Sequence, residues 1–519
     1  VNIVSEQENP APAEIQDQRE QRLAKLRTLQ AAGKDPFAIE RFDRTHTTAQ
    51  AVDAEADHWK LPEEERIALR FALCGRITAN RPKGKIIFAD VRDESGRMQV
   101  YLKRDDVGAE AFEAFRDFDL GDIVGVYGYP FVTRTGEPSI HVTEFVLLAK
   151  ALRPVPFGKI DSDGKVHSAI RDVEERRRYR YLDLLSNPDS RDVLIRRSKV
   201  VSSMRRFLDS QGFLEVETPY LQAVAGGAAA RPFLTHHNAL DYDFKLRISL
   251  ELYLKRLIIG GFEKVYEIGR VFRNEGIDAE HNPEFTLMEL YQAYTNLEGM
   301  MDLVEEMYVY ICSEVNGSPT FPCQGETVDF SVRPWRRLPM LEGIRQYAGI
   351  VPEELTTLED AKAACHRINV PFDLDKEHLL GGLIEKLHEV YTQPHLIQPT
   401  FITDFPVETS PLAKKRLDNP ALTRRFEVYV ATQELGNAFS EINDPLDQRQ
   451  RFLAQMEQRA AGDDEAHPMD EDFLRALEYG MPPTGGLGVG LDRLAIVLTG
   501  ATNIRDVILF PLMRPEHGA

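Results

Sequence analysis

The segment GRVFRNEGIDAEHNPEFTLMELYQAY, residues 269–294, constrains the fold of this chain more than any other stretch. Arg273, Glu275, His281, Asn282, Glu284, Phe285, Glu289 and Tyr291 crowd between positions 273 and 291. Apolar residues alternate with polar ones on both sides of a polar loop, so residues 267–274 and 284–291 are expected to form an antiparallel strand pair. Period two then sets Phe285, Leu287, Glu289 and Tyr291 on one face, and Arg273 with Val271 and Glu275. A single arginine beside acids is usually a structural ion pair. So many polar groups on one strand pair point instead to a ligand site.

Two further clusters follow. In FEVYVATQELGNAFSEINDP, Glu427 and Glu434 stand on either side of an expected bend, and Asn437, Phe439 and Glu441 alternate along a strand. Carboxylates lined up on a sheet are costly unless a cation joins them, and Mg²⁺ or a cationic substrate would serve. The alternative is a solvent-exposed strand face. In GGLGVGLDR, residues 485–493, a glycine-rich turn is expected to enter a helix. Its glycines allow close approach of a ligand, and Arg493 in the first helical turn favours phosphate.

The rest of the chain sets the frame. Short alternating strands between residues 70 and 150, broken by PKG, SGR and TGEP, suggest a five-stranded barrel such as an OB-fold, or else a β-sandwich fragment. Residues 14–32 read as a helix with Arg19, Arg22, Lys25 and Arg27 between apolar positions, either a basic arm for RNA or a solvated face. Arg176, Arg177, Arg178 and Arg180 pose the same choice, with Glu174 and Glu175 favouring ion pairs. Residues 1–13 read as a polar tail. The expected domains are 1–65 (extension with basic helix), 66–150 (barrel), 151–185 (linker) and 186–519, with a helical insertion at about 335–400.

Among 519 residues, 63 Lys and Arg face 83 Asp and Glu, a formal charge of −20. That excludes nucleic-acid binding by bulk charge alone. The first residues lack the basic and apolar regions of a signal peptide, and no stretch is apolar enough to span a membrane, so a cytoplasmic setting is expected. Cys74, Cys312, Cys323 and Cys365 have no zinc-like spacing and read as free thiols.

GFLEVETPY (212–220), FRNE (272–275) and GLGVGLDRL (486–494) resemble motifs 1, 2 and 3 of the class II aminoacyl-tRNA synthetases. GGAAARPFLTHHNALD, LRISLELYLKRLIIGGFEKVYEIGR, ELGNAFSEINDPLDQRQRF and TNIRDVILFPLMRP narrow the resemblance to the bacterial lysyl-tRNA synthetases, over residues 66–514. The resemblance implies an α+β chain, an OB-fold anticodon domain before a catalytic domain on an antiparallel sheet, and a homodimer formed through motif 1 with Pro219. It implies a catalytic pair, Arg273 on the α-phosphate and amino-acid carboxylate and Arg493 on the far phosphates. Glu275, His281, Asn282 and Phe285 would complete the ATP site. Glu427 and Glu434 would hold Mg²⁺. Gly227, Glu251, Glu289, Tyr291, Asn437, Phe439, Glu441 and Gly488 would form the L-lysine pocket. Phe88, Arg76 and Gln99 would read a uridine of the tRNA(Lys) anticodon. Leu250 and Ala225 depart from the family, many members of which carry Pro there.

Lysine brings a cationic side chain, which the acids of that pocket answer. The expected reaction joins lysine and ATP into lysyl-adenylate, then transfers lysine to the 3′ end of tRNA. Two alternatives stand beside it. A paralogue that lysylates a protein would lack the barrel. A synthetase-derived RNA-binding protein would not need Arg273, Glu427, Glu434 and Arg493 intact.

Overall fold

The computed structural model describes residues 12–53, 55–157, 159–160, 166–167, 170–462 and 466–516. Most of the polar tail expected at 1–13, and part of the linker, lie outside the described residues. The chain divides into two compact units, Val1–Pro188 and Asp189–Ala519.

In the first unit, strands β1 (Phe71–Lys83), β2 (Ile86–Arg92), β3 (Arg97–Lys103), β4 (Ile123–Val132) and β5 (Pro138–Ala149) close a barrel in the order β1-β2-β3-β5-β4. Closure removes both sheet edges, so the sandwich alternative does not apply. Alternation is strict where it matters. Ile87, Ala89 and Val91 are fully buried, while Phe88 between them faces outward and is half-buried. The expected strands left out an eight-residue helix, α2 (Ala109–Arg116), which sends Phe112 and Phe115 into the barrel core. Two aromatics three positions apart are too short a run to announce a helix in sequence.

Helix α1 (Pro12–Ala31) is fastened to this unit by its own basic residues. The Arg22 guanidinium donates to the carbonyls of Leu120, Ala151 and Arg153 at 3.0–3.1 Å, and Lys25 pairs with Asp119 at 2.8 Å. Arg176, Arg178 and Arg180 are likewise ion-paired. Arg176 and Arg180 share Asp183 at 2.8 and 2.7 Å, and Arg178 meets Glu174 at 3.0 Å.

The second unit opens with α3 (Pro188–Ser210) and is built on an eight-stranded sheet. Its strands are β6 (Leu214–Glu215), β7 (Lys264–Phe272), β8 (Glu284–Ala293), β9 (Arg336–Pro339), β10 (Thr400–Thr403), β11 (Arg425–Val430), β12 (Gln433–Ser440) and β13 (Thr484–Gly490). They lie in the order β9-β10-β11-β12-β13-β8-β7-β6, antiparallel except at the two outermost pairs. One face is dry. Met288, Leu290, Ala438, Leu487 and Val489 are buried against Met204 of α3, Val304 and Tyr308 of α5 (Leu297–Asn316), and Leu494 of α10 (Leu491–Thr499). Each such large apolar side chain contributes roughly 1.5–3 kcal/mol on burial. That packing fixes the sheet and leaves the alternate residues on the other face for chemistry.

Two sequence expectations change here. The glycine-rich stretch 485–490 is not a turn but a strand, β13, in the middle of the sheet between β8 and β12. Its neighbours supply the apolar contacts that glycines cannot. The segment 335–400 carries helices α6 (Met340–Ala348), α7 (Leu358–Ile368) and α8 (Leu380–Leu387) around a core of its own, including Ile344, Ala361 and Leu383. It also begins with β9, which adds to β10 in parallel at the sheet edge.

Candidate active site

Strand register assembles the site. Directly opposed residues on neighbouring strands point to one face. One row across the sheet therefore reads Glu267, Glu289, Gly488, Asn437 and Glu427. The next reads Val265, Tyr291, Gly486, Phe439 and Arg425. Residues scattered over more than 150 positions of sequence thus become neighbours on the open face.

This face floors a cavity of about 850 Å³. Arg273, Glu275, His281, Asn282, Phe285 and Arg493 line it, with Gly227, Glu251, Glu289, Tyr291, Asn437, Phe439, Glu441, Gly488 and Glu434. Glycine is required at two of these points. A side chain on Gly486 would start 2.0 Å from a Glu441 oxygen and 2.6 Å from the Tyr291 ring. Gly227 has φ +92°, and a Cβ there would fall 2.3 Å from Ser249 Oγ.

At one end the groups are acidic. Tyr291 donates its hydroxyl to Glu289 at 3.0 Å, and the Leu250 N–H donates to the other Glu289 oxygen at 3.1 Å. A proline at that position would have no N–H to give. Glu251 opens helix α4 (Glu251–Ile259) and ion-pairs with Lys255 one turn later. The Glu441 side chain is 0% exposed and lies 2.5 Å from the same Lys255. Lys255 is thus shared between the Glu251 and Glu441 carboxylates. Burial raises the Glu289 carboxyl to about 7 and Glu441 to about 8, and raises Glu251 as well.

At the other end the groups are mixed. Arg273 and Glu275 lie just past the end of β7, and the Arg273 guanidinium sits 5.1 Å over the Phe285 ring. Val271 pairs with Phe285, which brings the face expected for Arg273, Val271 and Glu275 together with that of Phe285. Arg493, in the first turn of α10, pairs with Glu434 at 2.9 Å and approaches His281 at 3.4 Å. Asn282 is buried with its Oδ1 unbonded.

Glu427 stands apart from the main cavity. It opens into an adjoining one of about 360 Å³, with Arg425 at 2.6 Å and the Tyr429 hydroxyl at 2.7 Å. Burial, reinforced by nearby Glu434, lifts its carboxyl to about 7. Arg425 is shared with Ser410 and Asn437, and the charge of Glu434 stands nearby, a pairing of acids that fits a divalent cation. Among the described residues no group of three or more His, Cys, Asp or Glu could hold a metal by itself.

Among the residues that escaped the sequence reading are Arg425 and His467 of the lining and Lys255 behind it. Arg425 is a third arginine of the cavity beside Arg273 and Arg493, committed to Glu427, to Ser410 at 3.0 Å and to Asn437 at 3.2 Å. His467 lines the cavity wall, fully buried, with a proton affinity lowered to about 4 by burial. Lys255 is hidden beneath its two acids. Only Lys255 had a signal, its position four residues after Glu251 in a helix.

On the barrel, Phe88 pairs with Tyr101, Asp90 with Gln99, and Arg92 with both Arg97 and Arg76. Arg76, Phe88 and Gln99 therefore share the outer face. Phe88 and Tyr101 rings are 5.4 Å apart, Gln99 accepts from Ser139 at 2.9 Å, and Arg76 donates to the Gly121 carbonyl at 2.6 Å.

Residues 172–514 match the family of tRNA synthetases class II (D, K and N), and residues 71–148 match an OB-fold nucleic acid binding domain. The chain is 52% identical to the lysine–tRNA ligase of Moorella thermoacetica over 496 residues, covering 96% of this chain and 97% of that one. It is 48% identical to the lysine–tRNA ligase of Bacillus subtilis over 508 residues, covering 98% and 99%.

Proposed function

The chain belongs to the class II tRNA synthetases (D, K and N), and on that premise we propose how its residues divide the work of joining lysine to tRNA. Its activity is that of a lysine–tRNA ligase, an aminoacyl-tRNA synthetase consuming ATP. Glu441 carries the assignment of the amino-acid pocket. It is a fully buried carboxylate at the cavity whose one cationic partner, Lys255, is shared with Glu251, so the ε-ammonium of lysine supplies the charge still missing. Glu289 and Tyr291 flank that ammonium. Glu251 meets the α-ammonium and Asn437 the carboxylate, while Gly227, Phe439 and Gly488 shape the walls. An uncharged isostere would leave these acids unpaired and be rejected by roughly 10⁴-fold.

Phe285 stacks on adenine, and Glu275, His281 and Asn282 hold the nucleotide. Arg273 joins the α-phosphate to the lysine carboxylate, and Arg493 takes the far phosphate end. Glu427 and Glu434 would hold Mg²⁺, which when bound neutralises charge on the triphosphate. The lysine carboxylate is already a nucleophile. It attacks the α-phosphorus in line, the bond to the β-phosphate oxygen breaks, and pyrophosphate leaves. No general base is needed, so positioning and charge compensation by Arg273 and Arg493 provide the catalysis. The 3′ hydroxyl of the tRNA end then attacks the adenylate carbonyl and AMP leaves.

Phe88 stacks on an anticodon uridine, with Arg76 and Gln99 at its polar edges, as aromatic faces of OB-folds do with single strands. The working divisions are 1–65, 66–150, 151–185 and 186–519. A homodimer is supported by exposed Leu214, Tyr220, Leu221 and Leu234 in and after motif 1. The setting is the cytoplasm; no helix among the described residues is long and apolar enough to cross a membrane. Lysine-dependent ATP–pyrophosphate exchange tests the reading. Exchange is expected with lysine. No exchange with lysine, or faster exchange with aspartate or asparagine, would sink it.

A further inference from the structure

Lys255 is the one side chain of the pocket whose presence is puzzling. It is fully buried on α4, with the rings of Tyr291 and Phe473 at 5.9 and 6.0 Å. A helix position facing such surroundings is ordinarily apolar, because burying an ammonium costs several kcal/mol unless acids compensate it. Its compensating acids, Glu251 and Glu441, are the two assigned above to the substrate's ammonium groups.

The ionisable groups facing it come from every side. Glu251 is on its own helix, Glu289 and Tyr291 are on β8, and Glu441 follows β12. His467 precedes α9 (Glu471–Glu478), and Arg425 of β11 acts on Glu251. Arg256, next along the helix, is taken by Asp470 at 2.9 Å. Three carboxylates thus face one resident ammonium, and two negative charges remain. Free lysine brings two ammonium groups.

We infer that Lys255 is the resident counter-ion of the lysine pocket, a positioning residue that clamps Glu251 and Glu441 and leaves the three carboxylates with two negative charges for the two ammonium groups of the amino acid, whose own carboxylate is met by Asn437 and Arg273. The inference rests on the pocket assignment made above. Without an internal cation, three carboxylates in one dry cavity could not all ionise, and protons would occupy the place meant for substrate. Burial raises all three carboxyls, and Lys255 opposes that rise at each. Its charge therefore lowers the pH at which the pocket becomes receptive. An amino acid with an α-ammonium but no side-chain ammonium would leave one carboxylate unmatched.

The test compares the full-length chain with Lys255→Met, Lys255→Arg and Glu441→Gln in lysine-dependent ATP–pyrophosphate exchange from pH 6.5 to 9. Met fills the space of Lys without its charge. At pH 7.5 its KM for lysine should rise at least tenfold, with kcat and the KM for ATP changed less than threefold. As pH rises that KM should fall, over a window about one pH unit above the parent's, and Arg should bring the profile back toward the parent. A Met variant with the parent's KM and pH profile would overturn the inference. So would a loss equal at every pH, the mark of packing alone. A parental KM in Glu441→Gln would instead overturn the pocket assignment. If Lys255→Met unfolds at pH 8, the counter-ion role predicts that it folds at pH 6, where protons replace the lysine. A variant unfolded at both values would overturn it.

Discussion

Arg273 sits at the junction of the two halves of the cavity, over Phe285 and past the last residue of β7. Arg273→Ala should lower adenylate formation by about 10²–10³-fold, the typical cost of losing one donor aimed at developing charge. Far-ultraviolet circular dichroism should be unchanged, because Arg273 belongs to no apolar core. The acids give a pH signature. Glu289 at about 7 and Glu441 at about 8 must lose protons before they can pair with ammonium groups, so the KM for lysine should fall between pH 6 and 8.5. Stability should run the other way. These carboxyls are raised above their unfolded values, so the folded state binds more protons in that window. The ligand-free melting temperature should decline as pH climbs from 5 to 8.5, and added lysine should recover it; a flat profile would contradict the assignment. Leu250→Pro removes the N–H that steadies ionised Glu289. It should raise the KM for lysine several-fold at pH 7 and little at pH 9. The charges at 273, 289, 427, 434, 441 and 493 were legible because polar groups on alternating strands have few bland explanations. Lys255 and Arg425 were not, because a cation neutralised by its neighbours looks in sequence like any surface lysine or arginine.

At the scale of elements, β13 is the instructive case. Six residues of Gly, Leu and Val, GGLGVG, read locally as a turn. Between β8 and β12 they form a strand whose missing side chains make room for Glu441 and Tyr291. Intrinsic preference lost to tertiary pairing, as it often does for strands. Gly486→Ala should raise the KM for lysine by tenfold or more in the exchange assay, since the new methyl must displace Glu441 or Tyr291. The KM for ATP should move less than threefold, Phe285 being three rows away and Arg273 beyond it. Equal effects on both substrates would count against a lysine pocket at this row. Strands β7 and β8 were legible from period two. Helix α2 and the edge strand β9 were not, one too short to display periodicity and the other four residues whose partner lies 64 positions downstream.

Across the molecule, an acidic chain of charge −20 must meet an anion, tRNA. On the proposed pocket assignment part of that acidity, at Glu251, Glu289 and Glu441, answers a cationic amino acid. The barrel offers a local face instead. Phe88→Ala should raise the KM for tRNA in charging by about tenfold, in line with a stacking contribution of about 1–3 kcal/mol per base. Lysine-dependent exchange, which involves no tRNA, serves as the internal reference. What the sequence by itself determined was the inventory: two fold types, the strand pair, the arginines and acids, and the family they resemble. These follow from local periodicity and residue chemistry, which need no distant partner. Only the tertiary structure decided which inventory members meet. Strand register sets Glu289, Gly488, Asn437 and Glu427 in one row, and burial joins Lys255 to Glu251 and Glu441. Register and burial arise from long-range pairing and from the exclusion of water, and neither is written in any one stretch of chain.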